Sequence, residues 1–141
     1  MKVNVEEREA LARKYHKEGM NCAQSVVMAY ADLVDMKPEV LKATAAPFGR
    51  GLCGRGEVCG CVSGMSMLTQ IILPGVDRES TKKSQDVTKE MLAEFEKEHG
   101  DIVCRNLLAI VAREGKKVTC NDRVGAAARI FGEKLNSMNQ D

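Results

Sequence analysis

The 141-residue chain has no tryptophan, and its aromatic side chains are only Tyr15, Tyr30, Phe48, Phe95 and Phe131. So few stacking surfaces exclude a platform for single-stranded nucleic acid. An excess of one charge is missing as well, since 21 Lys and Arg stand against 20 Asp and Glu for a formal +1. That leaves no long-range pull on a nucleic acid or an anionic membrane. No apolar run reaches the roughly 18 residues of a membrane span, so no membrane insertion is expected. The opening Met1-Lys2-Val3-Asn4-Val5-Glu6-Glu7-Arg8 is too charged for a signal peptide. The expected setting is the reducing cytoplasm. Internal repeats, low-complexity segments and linkers are absent, and residues 1–141 read as one helical domain around a cysteine site. Strand alternation is lacking too; Lys116-Lys117-Val118-Thr119 comes nearest, and it is too short and too charged to found a sheet.

What is present is helical punctuation. Asn4 with Glu7 caps a helix bearing Val5, Leu11 and Tyr15, closed near Gly19. Asn21 with Gln24 starts a second, from Cys22 to about Asp35, with Val26, Val27, Tyr30 and Leu33 for the core. Pro38 opens a short helix that Pro47 stops. A glycine-rich stretch from Gly49 to Gly60 leads into an apolar helix from about Cys61 to Leu73, ended by Pro74-Gly75. Asp77 or Ser80 begins a long amphipathic helix whose stripe is Val87, Met91, Leu92 and Phe95, ended by Gly100. Asp101 caps the next, with Val103, Leu107, Leu108 and Val111 inward. Thr119 with Asp122 caps the last, where Val124, Ala128, Phe131 and Leu135 share a face. The fold class is all-α, an irregular bundle of about five longer helices and one short helix.

Six cysteines fall on this map: Cys22, Cys53, Cys59, Cys61, Cys104 and Cys120. In a reducing compartment such a number points to metal or redox chemistry rather than structural disulfides. Cys22 and Cys120 are each the first residue of a helix, Cys104 the third after the Asp101 cap, and Cys59 and Cys61 stand where the loop becomes helix. Unpaired N–H groups and the helix dipole at such ends stabilise a thiolate over a thiol. They would equally stabilise an anionic cluster.

Other readings of the same residues are weaker. Gly49, Gly51 and Gly54 spell a dinucleotide fingerprint, but no strand precedes them. The glycines serve instead to give positive φ and close packing beside a cysteine site, and Arg50 and Arg55 could assist a thiolate or a cluster, although solvated loop arginines are the commoner case. No C-x-x-C exists for a zinc ribbon or a thioredoxin-type site. Cys59-x-Cys61 could chelate a metal or form a strained disulfide. His16 and His99 read as solvated residues in the last turns of charged helices, and the methionines as core, with Met65 and Met67 alone near enough to border a site.

Asn21-Cys22-Ala23-Gln24, the glycine loop into Cys59-Gly60-Cys61-Val62-Ser63-Gly64, and the isolated Cys104 and Cys120 resemble the C-GCAxxG-C-C family over nearly the whole chain. The resemblance implies a helical fold and a redox role, and related domains are associated with iron–sulfur binding. Carried over by position, it makes Cys22, Cys59, Cys104 and Cys120 the working cysteines and places Gly60, Cys61 and Gly64 at a cofactor. The chain departs from the motif where its Ala is Cys61, and Cys53 is extra. Which of Cys59 and Cys61 is the working thiol stays open.

Three functions follow. The first is thiol/disulfide exchange by clustered thiolates, with Cys22 or Cys120 attacking and a second cysteine resolving. The second is an iron–sulfur cluster or other soft metal held by Cys22, Cys59, Cys61, Cys104 and Cys120 for electron transfer or sensing. The third is a helical interaction module with incidental cysteines. The expected partner is a redox protein or a small electron donor, with no nucleic acid, and self-association is left open.

Overall fold

The structure, a computed structural model, describes residues 2–115 and 117–139. Lys116, in the stretch nearest to a strand pattern, lies outside them. Seven helices follow in order: α1 Val5–Lys17, α2 Cys22–Met28, α3 Pro38–Ala45, α4 Gly60–Ile72, α5 Arg78–His99, α6 Cys104–Glu114 and α7 Cys120–Met138. Single 3-10 turns at Ala31–Leu33 and Ala46–Phe48 join them. Among the described residues there is no strand, only an isolated antiparallel bridge between Val58 and Val103. No helix of the described residues is long and apolar enough to cross a membrane. The expected count of about five longer helices and one short one is therefore corrected to seven.

The caps explain the helix starts. Asn4, Asp77 and Thr119 each accept the backbone N–H three residues on, and Asn21 with Gln24 forms a reciprocal box. α1 lies along α7, fastened where Asn136 bonds both backbone groups of Val3 at 2.8 and 2.9 Å. Small residues in α7 admit side chains from opposite: Gly125 makes room for Arg13, and Gly132 for the Tyr30 hydroxyl. The fully buried Tyr30 donates that hydroxyl to the Ala128 carbonyl at 2.7 Å and sets its ring edge-on to Phe131.

α2 sits centrally, against α1, α3, α4 and α7. Its contact with α4 is close because Gly64 has no side chain; a β-carbon there would stand 3.1 Å from Val26 Cβ and 3.2 Å from the Ala23 carbonyl. Two helices that pack backbone to backbone near their N-termini bring their first residues together. Those residues are the cysteines.

Two boundaries differ from expectation. α2 stops at Met28 rather than near Asp35, because Arg8 takes the Ala29 carbonyl at 2.9 Å and Tyr30 turns into the core. α6 starts at Cys104 after Val103, not after Asp101. The Asp101 carboxylate instead binds the adjacent N–H groups of Ile102 and Val103, at 2.7 and 3.0 Å, making a turn before the helix. Leu108, expected inward, is 53% exposed, since α6 lies at the edge of the bundle and buries only Leu107.

Candidate functional site

Four helices begin with the cysteines. Cys22 opens α2, Cys104 opens α6 and Cys120 opens α7, while Cys59 is the N-cap of α4 and Cys61 its second residue. The starts of α4 and α6 are tied together. Cys59 N–H donates to the Ile102 carbonyl and Cys104 N–H to the Glu57 carbonyl, both at 2.7 Å, on either side of the Val58–Val103 bridge.

Cys22, Cys59 and Cys61 lie close enough to influence one another's titration, and Cys61 is coupled to both of the others. They are 9%, 5% and 1% exposed, so all three are buried and Cys22 least deeply. The arrangement divides their titrations. Cys22 falls from an ordinary 9.0 to about 6; the Cys61 hydrogen bond contributes most, the Arg50 and Ala23 backbone N–H groups and the His16 charge add to it, and burial opposes it. Cys59 is also lowered, chiefly by the Cys61 hydrogen bond, against burial and the charge on Cys22. Cys61 is pushed well up, because its proton serves the two neighbours and because it is buried. A protonated sulfur thus stands between two sulfurs that favour charge.

The donor from Arg50 depends on an unusual backbone. From Arg50 to Gly54, φ is +53, +71, +70, +53 and +77°, a continuous left-handed run that includes three non-glycine residues. Each such residue costs about 1–2 kcal/mol unless the surroundings impose it. Here long loop bonds do so: Cys53 N–H to Pro47 O at 2.7 Å, Gly56 N–H to Arg50 O at 3.1 Å and Glu57 N–H to Gly51 O at 2.9 Å. The result brings the Arg50 amide near enough to Cys22 to help lower its titration. Gly60 completes the cradle, because any β-carbon there would lie inside contact distance of Cys22 Sγ and 2.8 Å from the Phe48 carbonyl oxygen.

The other cysteines lie around this group. Cys104 is partly buried; its thiol is raised by burial first and then by the charges of Cys59, Cys120 and Cys22, which places all four in one electrostatic neighbourhood. Cys120 is exposed and accepts a hydrogen bond at 3.4 Å from Arg123, a guanidinium itself only 3% exposed. Cys53 is exposed in the loop. Cys22 and Cys120 share the wall of an open cavity of about 380 Å³, with Arg50 and His16 also on it.

Several sequence readings need amendment. His16 is partly buried beside Asn121 and borders the Cys22 cavity rather than lying free in water. His99 is half-buried against Phe95, ring centroids 4.5 Å apart, and its buried Nε2 has no hydrogen-bond partner. Met65 is fully buried and Met67 packs against the core. Gly64 serves helix packing. Sequence reasoning missed Arg50 as a backbone donor, and no composition signal announces it. It also missed Gly60 as a space for sulfur, although a glycine directly after Cys59 hinted at one.

Thiolates are suitable ligands for a soft metal. Yet among the described residues no three His, Cys, Asp or Glu are disposed to hold a metal ion. The central thiol is engaged in bonding its neighbours instead. The residues as arranged do not fit a cluster.

Comparison with known proteins agrees with the redox character of the site. The family model described as "Putative redox-active protein (C_GCAxxG_C_C)" matches residues 20–134. No curated protein and no solved structure gives a significant match.

Proposed function

The chain belongs to the C_GCAxxG_C_C family, and from that premise we propose that it performs thiol/disulfide exchange with Cys22 as the attacking thiolate and Cys61 as the resolving thiol. The observation that carries this reading is the division of titration within the trio. Cys22, lowered to about 6, lines the cavity, and the buried Cys61 coupled to it is pushed well up toward the protonated form.

In the first step the Cys22 thiolate attacks one sulfur of a disulfide R–S–S–R. A Cys22–S–S–R bond forms and RS⁻ leaves. The charge on Cys22 is then gone, and with it the leading cause of the raised Cys61 titration. Cys61 attacks Cys22 Sγ, its proton departs with the second RS group as RSH, and a Cys22–Cys61 disulfide remains. The substrate gains two electrons and the thiol pair loses them. Cys59 is placed to exchange with Cys61 afterwards, and Cys104 lies beyond it toward α6.

The test is to treat the reduced protein with one equivalent of a small disulfide, quench in acid and map the peptides. A Cys22–Cys61 disulfide is expected in the native chain, and a stable mixed disulfide on Cys22 in Cys61→Ser. A first adduct on another cysteine, or no adduct, would overturn the assignment.

A further inference from the structure

The cavity in front of Cys22 has a chemical character that the exchange reaction alone does not require. It measures about 380 Å³ and is bordered by Arg50, His16, Cys22 and Cys120, within the usual range for a small-molecule site. No acidic side chain is among its lining residues. The nearest carboxylate in the first turn of α7, Asp122, is turned to other work: it accepts from Thr119 N–H at 2.9 Å and pairs with Arg13 at 3.1 Å. The start of α7 meets this wall through Cys120, adding the positive end of that helix to Arg50 and His16. The nucleophile stands on the same wall, its sulfur seated in the space that Gly60 leaves free.

We infer that this cavity takes a small disulfide bearing carboxylates, which Arg50 and His16 hold while Cys22 attacks the nearer sulfur. The inference rests on the thiol-exchange reading above and adds to it the class of substrate. The Cys22–sulfur bond forms as the substrate S–S bond breaks, and the departing carboxylate-bearing thiolate carries away the electron pair. A macromolecular disulfide is disfavoured by a bowl of this size, with Cys22 only 9% exposed at its floor.

Three disulfides of similar size and different charge test it: 3,3′-dithiodipropionate, bis(2-hydroxyethyl) disulfide and cystamine. Each is reacted with the reduced full chain at low ionic strength, adduct formation on Cys22 is followed by mass spectrometry, and each rate is divided by that for free 2-mercaptoethanol. The dianion should exceed the dication by about tenfold or more after this normalisation, and added salt should compress the ratio. Arg50→Asn removes the charge while keeping a residue that tolerates the left-handed backbone, and should lower the preference about threefold. Equal normalised rates that all exceed the free thiol would overturn the substrate class and leave thiol exchange standing. So would a preference unchanged in Arg50→Asn combined with His16→Gln. Rates no faster than the free thiol for all three probes would overturn both readings.

Discussion

Replacing Gly60 by alanine perturbs the Cys22 sulfur without touching any cysteine. The added carbon would overlap Cys22 Sγ and stand 2.8 Å from the Phe48 carbonyl oxygen. Gly60 is buried at the start of α4, which is packed tightly on α2. The sulfur therefore gives way, turning from Cys61 and from the Arg50 and Ala23 amides that lower its titration, and overpacking of this kind costs about 1–3 kcal/mol of stability. If the whole depression is lost, Cys22 returns from about 6 toward 9.0. At pH 7 its thiolate fraction then falls about 90-fold, while the more basic sulfur gains about 16- to 32-fold in nucleophilicity, for a net slowing of about 3- to 6-fold. At pH 5 the fraction falls about 900-fold against the same gain, for a net slowing of about 30- to 60-fold.

The assay is stopped-flow reaction of native and Gly60→Ala protein with a neutral disulfide between pH 5 and 7, with circular dichroism to confirm folding. A second signature comes from linkage. A depressed thiol contributes stability that is complete above 9.0 and lost as pH falls through about 6, on the order of 1 kcal/mol at pH 7. The stability deficit of the variant should thus widen from pH 6 to pH 9. A rate ratio that does not change between pH 5 and 7 would refute the reasoning, however slow the variant proved.

Tyr30→Phe, which removes the buried hydroxyl's bond to the Ala128 carbonyl, should cost about 1 kcal/mol in chemical denaturation. His99 is lowered chiefly by burial, so the unfolded chain binds its proton first and the native chain loses stability as pH falls below about 6.5. His99→Leu should flatten that part of the stability–pH curve, measured by urea titration against native protein. Cys53→Asn, at an exposed position with φ +53°, should raise thermal stability, by up to about 1 kcal/mol, because asparagine accepts the left-handed region. It should leave the reaction of Cys22 unchanged, since Cys53 lies outside the trio.

The helix starts were legible because a cap is a local device. Asn21 with Gln24, and Thr119 with Asp122, are three residues apart, and the bonds they make are seen in any window that includes both. The inner faces of α5 and α7 were legible for a similar reason, since Met91, Phe95, Val124, Ala128, Phe131 and Leu135 recur at helical spacing and are buried. Where long-range contacts decide, the reading failed. Arg8 ends α2 from 21 residues away, and the Val58–Val103 bridge delays α6 past its apparent cap. His99 looked like a surface residue of a charged helix, and only the packing of Phe95 and α6 beside it closes off its Nε2.

The site was legible to the level of its thiols and not of their roles. A cysteine at a helix start is a local pattern, whereas the middle position of Cys61 comes from the close crossing of α2 and α4. The family motif carried Cys59 over by position and left the choice between Cys59 and Cys61 open. The left-handed run from Arg50 to Gly54 was signalled at its glycines alone, because Arg50, Leu52 and Cys53 adopt it through loop bonds rather than by preference.

The account rests on Cys22 being the thiol that is charged at neutral pH. The direct measurement is the rate of iodoacetamide labelling against pH, resolved by peptide mapping into each of the six cysteines. Cys22 should titrate with a midpoint at about 6, Cys61 should resist labelling throughout, and the early phase should vanish in Cys22→Ser. A Cys22 midpoint near 9.0, or an early phase that survives Cys22→Ser, would contradict it.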